Sequence, residues 1–533
     1  ERIEFAIAAG ITPRTIPLNV EVSAGEGTTL FEFQQTIDVE VVLNQEGFPF
    51  VESGAVMVAP AIADIDGDGN PEILAASDDF DLYVINSDGE LKWTFKTGNK
   101  IRSTPAIGDL EGDGTVEIVF GSVDKNLYVL DDSGKVKLQY MADGFIRSTV
   151  ALKDMDDDGD LEIIFGDLAK KLYVINHDGT DFGSFPIDMG ESLMTSPAIG
   201  DLDGDGSSEI VVGTWQKNVY VLKNDGSVMA GFPYAVGGKI DTDPVLADLD
   251  EDGKLEIIVG SADDKVHVIQ WDGSARFVYA TGADVLGSPV ADDLDGDGSL
   301  EIFFGSNDNL LYGIDSDGND LPGWPVAAES NVQTAPVFFD FDDDGIAEIV
   351  SAERGGLLSV FSLNGELLPS FPMEIPSPVQ GSFSVADVDG DGNAEIAVGT
   401  SAGVELIDIK TSSGSGYYWS SYRGGPHRTG FLGDSKLSFN GKPDVLPLSF
   451  RLYQNTPNPF NPMTTLRYDL PERANVELTI YDVLGRQVTV AVDSWQEQGS
   501  HEVMWDGTDE LGRSVSAGVY LYQIQAGEFS QTK

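Results

Sequence analysis

The sequence predicts an all-β chain in which an eight-bladed β-propeller is followed by a smaller antiparallel β-sandwich. Three observations predict this fold. An acidic ten-residue motif occurs eight times, each repeat contains four strand-length segments, and the last 84 residues alternate apolar and polar positions between Gly, Asp and Pro turns. No stretch shows the 3.6-residue period of an amphipathic helix. The repeat therefore decides the fold of most of the chain.

The acidic motif begins with "DIDGDGNPEI" at Asp64. It recurs as "DLEGDGTVEI", "DMDDDGDLEI", "DLDGDGSSEI", "DLDEDGKLEI", "DLDGDGSLEI", "DFDDDGIAEI" and "DVDGDGNAEI". Successive copies are 45, 45, 47, 47, 45, 47 and 47 residues apart. A fixed period in this range is typical of repeat arrays and propellers.

Each repeat has the composition of one four-stranded blade. A small-apolar run leads into the acidic loop ("SPAIGDLDGDG"), and it is followed by a β-branched run ("EIVVGT") and an alternating run ("KNVYVLKNDG"). The repeats that are two residues longer end in a Gly or Ser, an aromatic residue and Pro, as in "GFPY". Variation in length is thus expected in one surface connection.

The ends of the repeat region predict how the ring closes. "EGFPF" at residues 46–50 matches the end of a repeat that has no acidic loop, so this segment is expected to complete the last blade. Eight loops with this closure favour eight blades. Seven blades with one extra unit is the alternative.

Composition limits the classes of partner. The chain of 533 residues has 31 Lys and Arg against 90 Asp and Glu, a net charge of −59 that would repel nucleic acid and anionic membranes. Divalent cations are favoured instead. The chain contains no cysteine, so it forms no disulfide, and no apolar run is long enough for a membrane span.

The acidic loop has the pattern of a calcium site. Its carboxylates fall at loop positions 1, 3, 5 and 9, and glycine at position 6 permits a sharp bend. Oxygen-only ligands select a hard cation, and a flexible loop favours Ca²⁺ over Mg²⁺. A polar turn is the alternative for one copy. Eight copies with all four acidic positions filled favour a metal site.

The loops and the "EIVVGT" runs resemble the FG-GAP or VCBS repeats of integrin α-type propellers over residues 46–432. The resemblance implies up to eight structural Ca²⁺ ions, each held by the four acidic side chains and the carbonyl of position 7. The implied side-chain ligands are Asp64, Asp66, Asp68 and Glu72; Asp109, Glu111, Asp113 and Glu117; Asp154, Asp156, Asp158 and Glu162; Asp201, Asp203, Asp205 and Glu209; Asp248, Asp250, Asp252 and Glu256; Asp293, Asp295, Asp297 and Glu301; Asp340, Asp342, Asp344 and Glu348; and Asp387, Asp389, Asp391 and Glu395. The implied carbonyl ligands are those of Asn70, Thr115, Asp160, Ser207, Lys254, Ser299, Ile346 and Asn393.

The two ends of the chain predict further segments. "YYWSSYRGGPHRTG" resembles the closing segments of secreted propellers, and residues 433–449 have the composition of a linker. Residues 450–533, with "NTPNPFNP", "IYDVLGR", "WDG" and "AGVY" in order, resemble the Ig-like module, related to that of the flagellar hook-cap protein, on bacterial proteins exported by type IX secretion. Residues 1–45 are expected to be the tail of an upstream β-domain of a longer precursor.

The sequence nominates no catalytic residue, because it contains no nucleophile elbow, zinc-binding helix or phosphate loop. The favoured hypothesis is therefore a non-enzymatic, calcium-stabilised module, secreted or at a bacterial cell surface, that binds a protein or glycan. The alternatives are a polysaccharide-degrading, lyase-like enzyme on the same scaffold, and an accessory region or building block of a larger extracellular hydrolase or assembly. The type IX secretion machinery is the second expected partner. The ligand and the oligomeric state stay open.

Overall fold

The computed structural model describes most of the repeat region and parts of both ends. The described residues are 14–26, 29–41, 44–45, 47–51, 53–341, 344–375, 377–409, 420–431, 451–452, 464–470, 474–482, 486–496, 499–505, 507–508, 513, 515, 520–526 and 529–533. They contain strands and turns and no helix, which agrees with the predicted all-β class. Nothing within these ranges forms a helix long and apolar enough to cross a membrane.

The chain forms two compact units, Glu1–Gly441 and Lys442–Lys533. The first unit begins with a hairpin of β1 (Arg14–Glu26) and β2 (Thr29–Val41), in which Arg14 pairs with Val41 and Glu26 with Thr29. After the hairpin come eight antiparallel sheets within the described residues, one for each acidic motif.

The first seven of these sheets have four strands each, and the eighth has three. The strands of sheets 1 to 4 are β3 (Ala61–Ala63), β4 (Glu72–Ala76), β5 (Asp81–Ile85) and β6 (Leu91–Lys96); β7 (Ala106–Gly108), β8 (Glu117–Gly121), β9 (Asn126–Leu130) and β10 (Val136–Met141); β11 (Ala151–Lys153), β12 (Glu162–Gly166), β13 (Lys171–Ile175) and β14 (Ile187–Asp188); and β15 (Ala198–Gly200), β16 (Glu209–Gly213), β17 (Asn218–Leu222) and β18 (Tyr234–Ala235). Those of sheets 5 to 8 are β19 (Val245–Ala247), β20 (Glu256–Ser261), β21 (Lys265–Ile269) and β22 (Ala275–Ala280); β23 (Val290–Asp292), β24 (Glu301–Gly305), β25 (Leu310–Ile314) and β26 (Val326–Ala327); β27 (Val337–Phe339), β28 (Glu348–Ala352), β29 (Leu357–Phe361) and β30 (Met373–Glu374); and β31 (Val379–Ala386), β32 (Glu395–Thr400) and β33 (Gly403–Asp408).

The hydrophobic core lies between neighbouring sheets. The second strand of each sheet is buried along its whole length, because it has a neighbouring sheet against both faces, and this is why it reads as a continuous apolar run such as "EIVVG". The fourth strand of the shorter repeats, such as β6, has a partly exposed pattern instead. Buried clusters join each sheet to the next. A further cluster joins sheet 8 to sheet 1 and includes Leu406 and Ile62.

The segment before sheet 1 pairs with the open edge of sheet 8. Asn44 bridges Ile407, and Phe50 bridges Val404 in β33. Backbone hydrogen bonds from Gln45 N to Leu406 O (2.9 Å) and from Phe50 N to Val404 O (2.9 Å) hold the pairing. The predicted "EGFPF" segment therefore lies where a fourth strand of the last sheet would lie, although residue 46 itself is outside the described residues.

Residues 420–431, the channel segment, run past the first strands of several sheets. Its carbonyl groups accept backbone hydrogen bonds from Ile107, Leu152, Ile199 and Leu246, which lie on four successive first strands. Two of its side chains, Arg423 and Arg428, are buried at 3% and 1% exposure. Arg428 donates to the carbonyl oxygens of Tyr422 (2.6 Å) and Pro105 (3.3 Å). This segment thus ties the sheets together across the centre of the unit.

The second unit contains two sheets that share one hydrophobic cluster. The first consists of β34 (Arg451–Leu452), β35 (Thr464–Leu470) and β38 (Gly499–Trp505), and the second of β36 (Ala474–Asp482), β37 (Gln487–Gln496), β39 (Tyr520–Ala526) and β40 (Phe529–Thr532). Leu466 and Trp505 from the first sheet pack with Val476, Ile480 and Ile524 from the second. Alternation within these strands places one face of each sheet in the shared core.

We expect Arg428→Ala to lower the free energy of unfolding of the first unit by roughly 2–4 kcal/mol, because it removes a buried charged donor from two carbonyl groups. The matched control is Arg354→Ala, since Arg354 is exposed and the hydrogen bond from its side chain to Gln333 is 3.5 Å long. Urea denaturation measures both variants. Equal, small losses in the two would contradict a tethering role for the channel segment.

Candidate functional site

Each acidic loop connects the first and second strands of its sheet, so all eight loops lie at the same end of the first strands. The glycine at position 6 has φ of 93° at Gly69 and is in the left-handed region in every loop. A Cβ would meet no neighbour within 4 Å in seven of the loops and only ordinary van der Waals contact at Gly298, so the backbone conformation and not the space requires glycine. Position 4 is left-handed too, at 61° in Asp157 and 57° in Glu251.

The aspartate at position 1 organises the loop. In the first loop, Asp64 Oδ2 accepts from Gly69 N at 2.8 Å and Asp64 Oδ1 accepts from Asp68 N at 3.1 Å. The bond from position 6 to position 1 recurs in all eight loops. The backbone N–H groups that point into a short loop need a hydrogen-bond acceptor. This explains why loop position 1 is always Asp.

The glutamate at position 9 opens the second strand and is buried in every loop. One carboxylate oxygen accepts from the backbone N–H of position 2, as from Ile65 to Glu72 (3.1 Å) and from Val388 to Glu395 (2.7 Å). The same bond is present in the other six loops. The second oxygen is left to face the other acidic side chains of the loop.

The structure brings carboxylates of the same loop together. Ligand atoms of positions 1, 3 and 9 lie within 4.8 Å of one another in the loops that begin at Asp64, Asp154, Asp201 and Asp248, as do those of positions 1, 3 and 5 in the loop at Asp293. In all eight loops the carboxylate of position 5 also accepts from the N–H of position 7, as Asp68 does from Asn70 at 2.8 Å. Predicted ligand Asp342 lies outside the described residues, and the ligand role of the position-7 carbonyls stays a prediction.

Burial and mutual repulsion raise the pKa of these glutamates. Loss of water is the larger cause, and the neighbouring aspartates add to it. The pKa of Glu162, Glu209, Glu256 and Glu301 is raised to about 7, and that of Glu395 to about 8. Glu395 Oε1 is buried without a hydrogen-bond partner. The set of donors is thus all oxygen, crowded, and short of positive charge, which fits a hard divalent cation.

In three loops, a Lys or Arg side chain from the fourth strand of the sheet lies against the carboxylates. Lys92 Nζ lies 2.5 Å from Asp66 and 2.7 Å from Glu72, and Lys137 Nζ lies 2.7 Å from Glu117. Arg276 pairs with Asp250 in the same way. All three are the second residue of a six-residue fourth strand, β6, β10 or β22.

Such a fourth strand occurs only in the three sheets of the 45-residue repeats, among the sheets described. In the longer repeats with four described strands, the fourth strand has two residues, and neither of them is basic. In sheet 4, Lys223 approaches Asp203 from the end of β17 at 3.3 Å. All three 45-residue repeats therefore have a Lys or Arg against the loop carboxylates, and sheet 4 is the one longer repeat with such an ion pair among the described residues.

The opposite end of the first strands differs from blade to blade. In seven of the eight repeats, the residue three positions before the strand-leading Pro or its equivalent lines a cavity of about 200 Å³. These residues form the mouth ring: Met57, Arg102, Arg147, Met194, Asp241, Leu286 and Gln333. Sequence reasoning did not find them, although aligning the repeats shows that this position changes character in nearly every copy.

A second ring of polar residues lies just below the mouth ring. The backbone N–H of Thr149 donates to Ser196 Oγ (2.9 Å), that of Ser196 to Asp243 Oδ1 (2.6 Å), and that of Asp243 to Ser288 Oγ (2.9 Å). Each bond joins one repeat to the next. Tyr422 of the channel segment lines the same cavity and donates to Asp243. The chain of bonds fixes the cavity wall.

Comparison with known proteins agrees with this architecture. The FG-GAP-like repeat model matches residues 154–212, 201–259, 248–304 and 340–398, and the FG-GAP repeat model matches 380–419. A λ-carrageenase β-propeller domain model matches residues 52–142, and the FlgD Ig-like domain model matches residues 462–528. Residues 154–304 and 340–419 therefore contain FG-GAP repeats, and residues 52–142 match a β-propeller domain model. The chain carries an FlgD Ig-like domain near its C-terminus.

The solved structures that are similar to this chain at low sequence identity include the following two. The biofilm matrix protein Bap1 of V. cholerae has a TM-score of 0.55 and 16% identity, over 76% of this chain and 96% of the other. BamB from Moraxella catarrhalis has a TM-score of 0.47 and 14% identity, over 66% of this chain and 96% of the other. No curated protein matches the sequence.

The tethered cations give a first prediction. Replacing Lys92, Lys137 and Arg276 together by Gln should lower the dissociation constant for a divalent cation at these three loops at least tenfold. Each change removes a positive charge from a carboxylate cluster. Isothermal titration calorimetry measures the change. Replacing Lys96, Lys135 and Lys265 by Gln is the control, since no ion pair joins these lysines to an acidic loop. An equal shift in both triple variants would mean that only net charge matters.

The raised pKa values give a second prediction, for protein kept in chelator. The native state keeps protons on these glutamates up to about pH 7 to 8, whereas the unfolded chain releases them near 4.5. The native state thus binds more protons over this window, so its stability should fall as pH rises from 5 to 8. Thermal melts across that range test this. A melting temperature that rises with pH would contradict it.

Proposed function

We propose that this chain is an exported, calcium-stabilised, eight-bladed β-propeller with a C-terminal Ig-like β-sandwich, which binds a protein or glycan at the bacterial cell surface. The observation that carries the proposal is the repeated convergence of carboxylates in the acidic loops. The eight sheets and the pairing of Phe50 with Val404 support eight blades over the alternative of seven.

The residues that would hold calcium are the aspartates at positions 1, 3 and 5 and the glutamate at position 9. Bound calcium would supply positive charge where crowded carboxylates otherwise repel one another. The glutamate fixes the start of the second strand through its bond to position 2, and the first aspartate fixes the bend through its bond to position 6. These residues position the hairpin of each blade. In a chain without cysteine, they take the role that disulfides have in many extracellular proteins.

The division between the two ends of the blades supports a binding role. The acidic loops are nearly identical in every repeat, so they account for stability and not for specificity. The mouth ring at the other end presents apolar, basic, acidic and amide side chains in turn. Ligand specificity is expected at positions that differ between repeats. The FlgD Ig-like match supports export, with the type IX secretion machinery as the proposed partner of that module.

A polysaccharide-degrading enzyme is the second candidate, because the λ-carrageenase β-propeller domain model matches residues 52–142. On this candidate the chain would be a catalytic or accessory part of a larger hydrolase. Release of reducing ends or unsaturated sugars from a sulfated or uronic-acid polysaccharide would favour the enzyme and refute the binding-module proposal. Binding to a glycan or protein array without turnover would favour the module.

Chelation tests the calcium part of the proposal. We expect EDTA to lower the melting temperature of the propeller by about 10 °C or more, because a ligand that binds only the folded state stabilises it by mass action. Added calcium should restore the original value. Asp154→Asn should weaken the restoration, since the loop at Asp154 has no lysine or arginine among its described ion pairs.

The matched control is Asp178→Asn in the same repeat. Asp178 accepts from Thr180 in an exposed turn and belongs to none of the acidic loops. It should respond to calcium like the unmodified protein. A melting temperature that is unchanged by EDTA in every variant would refute the calcium proposal.

A further inference from the structure

Arg147 of the mouth ring is a cation without a partner. Its side chain is partly buried in the cavity wall, and its guanidinium makes no hydrogen bond or ion pair within the part of the chain that the structure describes. Burial and the nearby charge of Arg102 lower the pKa of Arg147. An arginine in this state is stabilised by an anion that enters the cavity.

The surroundings of Arg147 leave its charge unbalanced. Arg102 forms a bidentate ion pair with Asp78, in which Nε donates at 2.8 Å and Nη2 donates at 2.7 Å. Lys100 Nζ also lies 2.7 Å from Asp78, so two cations share one carboxylate. This side of the mouth is therefore positive in a chain whose net charge is −59.

A polar group that could receive a ligand lies beside this charge. Thr104 lines the cavity, is fully buried, and its hydroxyl has no hydrogen-bond partner. Buried hydroxyl groups without partners are uncommon in folded proteins, and a ligand or water that bonds to the Thr104 hydroxyl removes the cost. This hydroxyl adds a second, independent mark of a binding site to the free guanidinium.

The mouth is acidic on its other side. Asp241 accepts from Trp215 Nε1 at 2.5 Å, and Trp215 is 41% exposed with Lys239 Nζ 5.1 Å from its ring centre. A carboxylate acceptor beside an exposed indole matches a molecule that offers hydroxyl donors and an apolar face. A simple anion would satisfy only the arginine side.

We propose that the channel mouth binds an acidic saccharide, with a sulfate or carboxylate group on Arg147 and sugar hydroxyl groups at Asp241. The inference deepens the proposed binding function and rests on it. The cavity of about 200 Å³ has room for about one sugar unit, so the rest of an oligosaccharide would extend past Trp215 at the rim.

Calorimetry on the full chain in calcium-containing buffer tests the proposal with four probes. These are a trigalacturonate, a sulfated galactan tetrasaccharide, neutral maltotriose and sodium sulfate. At least one acidic oligosaccharide should bind near 1:1 and at least tenfold more tightly than maltotriose or sulfate. The two acidic probes distinguish a carboxylate from a sulfate ester as the recognised group.

Variants assign the binding to the mouth. Arg147→Gln should weaken binding of the acidic oligosaccharide roughly tenfold or more without changing the melting temperature. Asp241→Asn should weaken binding of the acidic oligosaccharide but not binding of sulfate. Lys135→Gln, which removes a cation from the turn between β9 and β10 at the acidic-loop end, should bind like the unmodified protein.

Three results would overturn the inference. Unchanged oligosaccharide binding in Arg147→Gln would place the ligand elsewhere, while the proposed binding function would stand. Sulfate binding as tight as the oligosaccharide would make the mouth a simple anion site. Binding of neither acidic oligosaccharide would exclude an acidic saccharide at the mouth, again without touching the calcium test or the assay for polysaccharide products.

Discussion

The repulsion among carboxylates in each acidic loop is the constraint on which the structure depends. The first aspartate must face inward to accept the N–H groups of the bend, and the glutamate must be buried to open the second strand. Both requirements place negative charges within a few ångströms of each other. The site is partly shielded from water, and this burial raises the pKa of the glutamates. A bound cation, a tethered lysine or a proton can each relieve the repulsion. The proposed calcium ions are the relief that works at neutral pH in every loop.

The same constraint separates the two ends of the propeller. Because the loop chemistry has to be repeated in each blade, the acidic end has little freedom to vary. The mouth ring lies at the other end of the first strands, where only the hydrogen bonds between repeats are fixed. There the side chains can change from Met to Arg to Asp without loss of a blade. Stability and proposed recognition thus occupy opposite ends of one short strand.

The sequence predicted the elements that follow from local pattern and missed the contacts that form only in the folded chain. The all-β class and the four-stranded units followed from period and alternation, and the FG-GAP and Ig-like resemblances are confirmed by the family models. Lys92 and Arg276 were not linked to the loops, because their approach depends on a fourth strand whose register is set by pairing with the third. Arg147 was missed because its lack of a partner is a property of the folded cavity. Likewise, the path of residues 420–431 depends on contacts with four sheets that are distant in sequence.

The metal content of the purified protein tests the central claim most directly. The chain would be expressed without chelator, passed through gel filtration in metal-free buffer, and analysed for calcium and protein by inductively coupled plasma mass spectrometry. The account predicts several calcium ions for each chain and no more than eight, with little magnesium or zinc. A calcium content near zero in folded protein, unchanged after incubation with millimolar calcium and repeated filtration, would contradict it.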